Sequence, residues 1–152
     1  MFMIILQAIE NVALALIVGG AIVMAAGVRP LLSDKLALGS DSGMAPTFEE
    51  ISINAWNRYN RLAFAAAVLL LVVDMIRLLG QLSSVYWHMG LTLLMLVALI
   101  GKLAVDKQLK LRLNTYAAAA VNSKEQNKDH RKVERLTKLI LVIAVLLVIL
   151  PV

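Results

Sequence analysis

No side chain is charged from Asn11 to Val28, and the same holds from Leu62 to Val73, from Leu78 to Gly101 and from Leu139 to Val152. These stretches constrain the fold more than any motif in the chain does. A helix of about 20 mainly apolar residues is what covers a hydrocarbon core of roughly 30 Å. The four intervals therefore predict four membrane-crossing helices. The first is expected from about Met3 to Val28, closed by Arg29-Pro30. The second grows out of a polar region and runs past Asp74 and Arg77 to about Leu79. The third begins in earnest near Tyr86. The fourth, from about Leu136 to Val152, is short enough that its basic flank must sit at the membrane boundary. Composition agrees: 61% of the 152 residues are hydrophobic and 16% charged, against roughly 45–50% and about 25% in ordinary soluble domains, with a mean hydropathy of +0.82. The first stretch lacks a basic n-region and outruns the usual h-region of a signal peptide, so it is expected to stay as a helix.

Orientation follows from the basic residues. The segment joining helices one and two carries four, Arg29, Lys35, Arg58 and Arg61; the segment from Lys102 to Lys138 carries ten. Fourteen of the fifteen thus fall on one side, which the positive-inside rule makes cytoplasmic, leaving both termini extracytoplasmic. The net charge of +5 is then accounted for by topology and anionic headgroups, with the lipid bilayer as partner and no nucleic acid expected. Cysteine is absent, which excludes disulfides, thiolate metal centres and a cysteine nucleophile. There is no Gly-rich phosphate loop, no His-Glu-x-x-His and no serine in a nucleophile setting, so no enzymatic activity is expected.

Capping chemistry extends the helices beyond the bilayer. Pro46-Thr47-Phe48-Glu49-Glu50 reads as a capping box that starts helix two near Phe48, and Ser123-Lys124-Glu125-Gln126 repeats the pattern before helix four. Leu31 to Pro46, with Gly39-Ser40-Asp41-Ser42-Gly43, reads as a loop. The expected helices are about 3–29, 48–79, 86–121 and 124–151 within one domain, 1–152. This is an all-α, integral membrane four-helix up-down bundle with cytoplasmic helical extensions. Trp56 and Tyr59 are expected at the cytoplasmic interface, and Tyr86 and Trp87 at the outer one. Ala13, Gly20 and Gly27, thickened by Gly19, form a small-residue stripe expected to face helix two or four.

Ionisable groups inside a span are costly unless paired or hydrated. Glu10, with Gln7 and Asn11 beside it, Asp74, Arg77 and His88 all lie toward the outer ends of their helices and can converge on one site for a proton, a cation or an anionic headgroup. Asp74 and Arg77 are spaced for a local ion pair. On helix three His88, Thr92, Met95, Lys102 and Asp106 fall on one stripe at 100° per residue, and the imidazole and thioether invite copper or haem as ligands. Lys102, near the boundary, is expected to snorkel. A second cluster, Asn57, Arg58, Tyr59 and Arg61, is expected at the cytoplasmic interface. His130 lies in the charged run Lys128-Asp129-His130-Arg131-Lys132 and is expected to face solvent or headgroups.

Gly19-Gly20 with the small-residue run to Val28-Arg29-Pro30, the stretch Asn57-Arg58-Tyr59-Asn60-Arg61, and a charged approach to helix four containing His130 together resemble small four-helix bacterial membrane proteins of unknown function, distantly like the copper-resistance D type. The resemblance implies a four-helix bundle in the bacterial inner membrane. Two functions are expected from the residues: a non-enzymatic bundle acting as an accessory subunit of a larger membrane complex or as a homo-oligomer, or a binding or transport bundle using Glu10, Asp74, Arg77 and His88.

Overall fold

A computed structural model describes residues 1–39, 43–81, 86–121 and 123–150, with backbone alone at 33 and 36–39. Every regular element among the described residues is helical: α1 (Phe2–Ile22), a π-helical segment (Val23–Val28), α2 (Arg29–Gly39), α3 (Ala45–Leu79), α4 (Tyr86–Tyr116), a 3-10 turn (Ala117–Ala119) and α5 (Lys124–Ile149). α1, the π segment and α2 follow without a break.

The first helix therefore does not stop at Arg29-Pro30, and residues 31–39 are helix instead of loop; residues 40–42 of that expected loop lie outside the described residues. Proline removes the amide that would bond four residues back, and its ring crowds that carbonyl. A π-helical stretch directly before Pro30 widens the turn and lets the helix continue. Helix α3 begins at Ala45, earlier than expected. Its N-cap is Met44, without a side-chain cap bond, so the expected Thr47–Glu50 capping box is not made. Pro46 in the first turn starts the helix instead, where its missing amide has no partner to lose. At α5 the expectation holds: Ser123 Oγ accepts from the Gln126 amide at 3.2 Å.

Each long helix buries one stripe at spacings of three and four: Leu6, Glu10, Ala13, Ile17, Ala21 and Met24 on α1 and the π segment; Glu49, Ile53, Asn60, Ala63, Ala67, Leu70, Asp74 and Arg77 on α3; His88, Thr92, Met95, Leu99, Lys102, Asp106, Leu109 and Leu113 on α4. These stripes meet. α3 packs against α1, α2 and α4, and α5 packs against α4 and α1. The resulting interior is layered along the helix axes. A polar layer of Glu10, Asp74, Arg77, His88 and Thr92 lies at the end where α1 starts and α3 finishes. Below it comes the main apolar core, with Ile17, Ala67, Leu70, Met95, Leu99 and Ala144. A second polar layer, Asn60, Lys102 and Asp106, separates it from a smaller core of Ile53, Leu109, Leu113, Ala120 and Val133.

Three helical stretches, Phe2–Leu32, Ala45–Leu79 and Tyr86–Ala119, are long and apolar enough to cross a membrane, and well under half of each apolar window is buried. Their outward faces carry exposed Val12, Val23, Leu69, Val72, Val97 and Ile100. α5 is not among them. Glu134, Arg135 and Lys138 occupy its middle, leaving only Leu139 to Ile149 free of charge, about 16 Å of helix at 1.5 Å per residue.

The small-residue stripe is half realised. Gly20 faces α3, where an added Cβ would stand 2.6 Å from Tyr59 Cε2; Gly19 and Gly27 have nothing within 4 Å of theirs. Tyr59 cannot simply swing aside, because its hydroxyl donates to the Ile17 carbonyl at 2.8 Å. Gly20→Ala is therefore expected to destabilise the protein by about 1–3 kcal/mol through overpacking, while Gly27→Ala leaves thermal unfolding in detergent unchanged.

Candidate functional site

The structure brings together the four outer residues singled out in the sequence. Glu10 comes from α1, Asp74 and Arg77 from the last turns of α3, and His88 from the first turn of α4, all buried to about 1% exposure or less. The expected Asp74–Arg77 pair along α3 is not made, because both side chains project to neighbouring helices instead. Arg77 reaches Glu10 at 2.5 Å and donates to Gln7 at 3.3 Å. His88 lies between two carboxylates, Nδ1 at 2.7 Å from Asp74 and Nε2 at 3.2 Å from Glu10. The Thr92 hydroxyl is 3.2 Å from Asp74 Oδ2 and 3.0 Å from the His88 carbonyl.

An imidazole carries hydrogen on both nitrogens only as imidazolium, so His88 donating to both carboxylates is a cation. The cluster then holds two negative and two positive charges and is neutral. It ties α1, α3 and α4 together at one level. Metal chemistry fits poorly here: both His88 nitrogens are committed to carboxylates, and no group of three or more His, Cys, Asp or Glu side chains that could hold a metal ion occurs among the described residues. The residues present do not fit a copper ion or a haem.

The expected interface cluster divides. Arg58 and Arg61 are exposed and Asn57 is half-buried. Tyr59 is a core residue, not an interfacial anchor, because Gly20 leaves room for its ring. Trp56 is also turned inward: it stands edge-on to Tyr59, and Lys102 Nζ lies 4.4 Å from its ring centroid and 5.4 Å from that of Tyr59. Lys102 does not snorkel; it is fully buried, and its ammonium has no hydrogen-bond partner. Asp106, one turn on, is held by the amide of Asn60. Tyr86 and Trp87 at the other end are exposed.

A further network joins α3, α4 and α5 near the basic end. Glu49 accepts from Gln126 at 2.9 Å and lies 2.6 Å from His130 Nε2, so His130 is engaged by a carboxylate instead of facing only solvent. Arg112 bridges Gln126 at 3.0 Å and Asp129 at 2.9 Å, and Lys110 donates to Asn54 at 2.9 Å. Glu49 and Asn60 had one legible signal: both lie on the same three-and-four stripe of α3 as Asp74 and Arg77. Their partners are more than forty positions away in sequence, and no local pattern names them.

Burial pushes the Asp129 carboxyl up, but the Lys132 ammonium and the Arg112 guanidinium outweigh it and hold the group below its ordinary value. A carboxylate depressed by folding adds stability above its unfolded pKa of about 3.9 and loses it as pH falls through the lower folded value. Asp129→Asn is expected to melt below the parent protein at neutral pH, and the two melting curves to converge once the pH is well below about 4.

No family model matches the chain, and neither a curated protein nor a solved structure is similar to it.

Proposed function

We propose that the chain is an integral membrane protein of the bacterial inner membrane, a multi-pass, up-down-up-down four-helix bundle with both termini outside. On this reading it works without chemistry of its own, as an accessory subunit of a larger membrane complex or as a homo-oligomer. Three apolar helices with lipid-compatible outer faces support insertion, and the concentration of Lys and Arg at one end supports the orientation. α5 supplies the fourth crossing with Arg135 and Lys138 snorkelling from its short apolar half. The resemblance to small membrane proteins of the copper-resistance D type concerns the bundle and not the metal.

The neutrality of the outer cluster carries the functional reading. Glu10, Asp74, Arg77 and His88 satisfy one another's charge, so the cluster acts as a clasp between three helices and has no excess charge with which to attract an ion. The second reading, proton or cation handling by the same four residues, rests on His88 being shared between two carboxylates. Native mass spectrometry of the protein released from a gentle detergent separates the two. A bare monomer or oligomer, with Asp74→Asn lowering stability, supports the clasp; a stoichiometric extra mass that vanishes in a folded Asp74→Asn protein overturns it.

A further inference from the structure

A cavity of about 560 Å³ opens between α1, the π segment, α2, α3, α4 and α5, within the range of roughly 300–1,000 Å³ that suits small ligands. Its position follows from local sequence. The widened π turn and the small side chains Ala21, Ala25 and Ala26 leave space where larger residues would have closed the contact with α5, and Ile22, Leu109 and Leu141 complete an apolar wall.

The charges around this cavity are sorted by depth. Arg29 and Lys138 are both committed to Glu134, at 3.2 and 2.9 Å, with side chains 52% and 73% exposed at the rim. Glu49 and Asp106 line the same cavity and are 5% and 2% exposed. Neither is bridged by lysine or arginine among the described residues. Glu49 has the His130 imidazole and the Gln126 amide, and Asp106 has the Asn60 amide. Glu10 and Asp129, by contrast, each meet arginine.

A further, independent observation lies behind Asp106. The Asn60 Oδ1 is an acceptor on a fully buried residue and has no hydrogen-bond partner, although native structures rarely leave such an atom unpaired. Trp56 forms part of the cavity wall, and one side of its ring already attracts the Lys102 ammonium, which shows the electrostatic preference of that surface for positive charge.

We propose that this cavity binds an amphiphilic organic cation, its positive centre received by Glu49 and Asp106 and its apolar body by the Ala21, Ile22, Ala25 and Leu141 wall. Buried carboxylates supply attraction that water would screen, and the apolar wall supplies the area that binds the body. The inference goes beyond the clasp reading and does not depend on it, since no residue is shared.

Tetraphenylphosphonium and tetraphenylborate, nearly identical in shape and opposite in charge, are the probes. Each is titrated against the full chain in phosphatidylcholine nanodiscs by equilibrium dialysis. The wild-type protein is expected to bind the phosphonium saturably, one per chain, and the borate at least tenfold more weakly. Glu49→Gln and Asp106→Asn are each expected to weaken phosphonium binding tenfold or more. Lys102→Met, which removes the positive charge nearest Asp106, is expected to tighten it, a gain that a purely structural role for Lys102 does not produce. Should either carboxamide variant fail to fold, Ala25→Leu narrows the cavity without touching a charge and must weaken binding in its place. Absence of saturable phosphonium binding, borate binding as tight as phosphonium, or folded carboxamide variants that bind like wild type would each overturn the proposal.

Discussion

Arg77→Met is expected to cost about 3–5 kcal/mol of stability, and adding Glu10→Gln to restore most of the loss. The single change leaves Glu10 buried with its remaining charged partner, His88, shared with Asp74, so two carboxylates compete for one cation. Uncompensated buried charge is what makes breaking such a pair expensive; removing both charges together avoids it. The two residues face each other across the α1–α3 contact, so their effects are expected to be strongly non-additive. The measurement is unfolding of the two single variants and the double variant in one detergent. A double variant no more stable than Arg77→Met would show that Arg77 acts through packing alone, and the clasp would lose its electrostatic basis.

Lys102→Met is expected to move stability the other way, by a gain of about 1–4 kcal/mol. Lys102 is as deeply buried as Arg77, yet its ammonium has no hydrogen bond and meets only the Trp56 and Tyr59 rings. An aromatic face returns roughly 0.5–2 kcal/mol to a cation, less than the several kcal/mol that removing an ion from water costs. Methionine keeps the length and flexibility of the side chain without the charge. The same unfolding assay decides: a loss of more than about 1 kcal/mol would mean that the rings and Asp106 more than offset the burial of the ammonium. Arg77 and Lys102 thus form a matched pair, equal in depth and opposite in the expected sign, and the difference is whether a carboxylate stands opposite.

Much of the secondary structure was legible in the sequence because it depends on local properties. Apolar stretches, the Ser123 cap and the absence of internal proline in α3 beyond its first turn place the long helices within a few residues of where they stand. The α4 stripe was legible too: His88, Thr92, Met95, Lys102 and Asp106 were placed on one line by helical period, and all five are buried. Pro30 and Thr47 misled in the same way, since each signals a boundary in isolation. A π turn absorbs the proline, and Pro46 starts α3 before Thr47 can cap it.

What the tertiary structure alone decided is which stripe meets which, and at what height. Helical spacing fixes the direction in which a side chain points around its own axis, so Glu10, Asp74, Arg77 and His88 could be assigned to one level from the sequence. It carries no information about the rotation and axial shift of the neighbouring helix, which packing of ridges into grooves sets. That shift gave Arg77 to Glu10 instead of Asp74, seated Tyr59 on Gly20 instead of at an interface, brought His130 to Glu49 and left Lys102 without a carboxylate. The sequence by itself determined which residues are buried along each helix; partners and the cavity at the π turn arise only between helices, because charge pairing and empty space are properties of the contact and not of either strand of sequence that makes it.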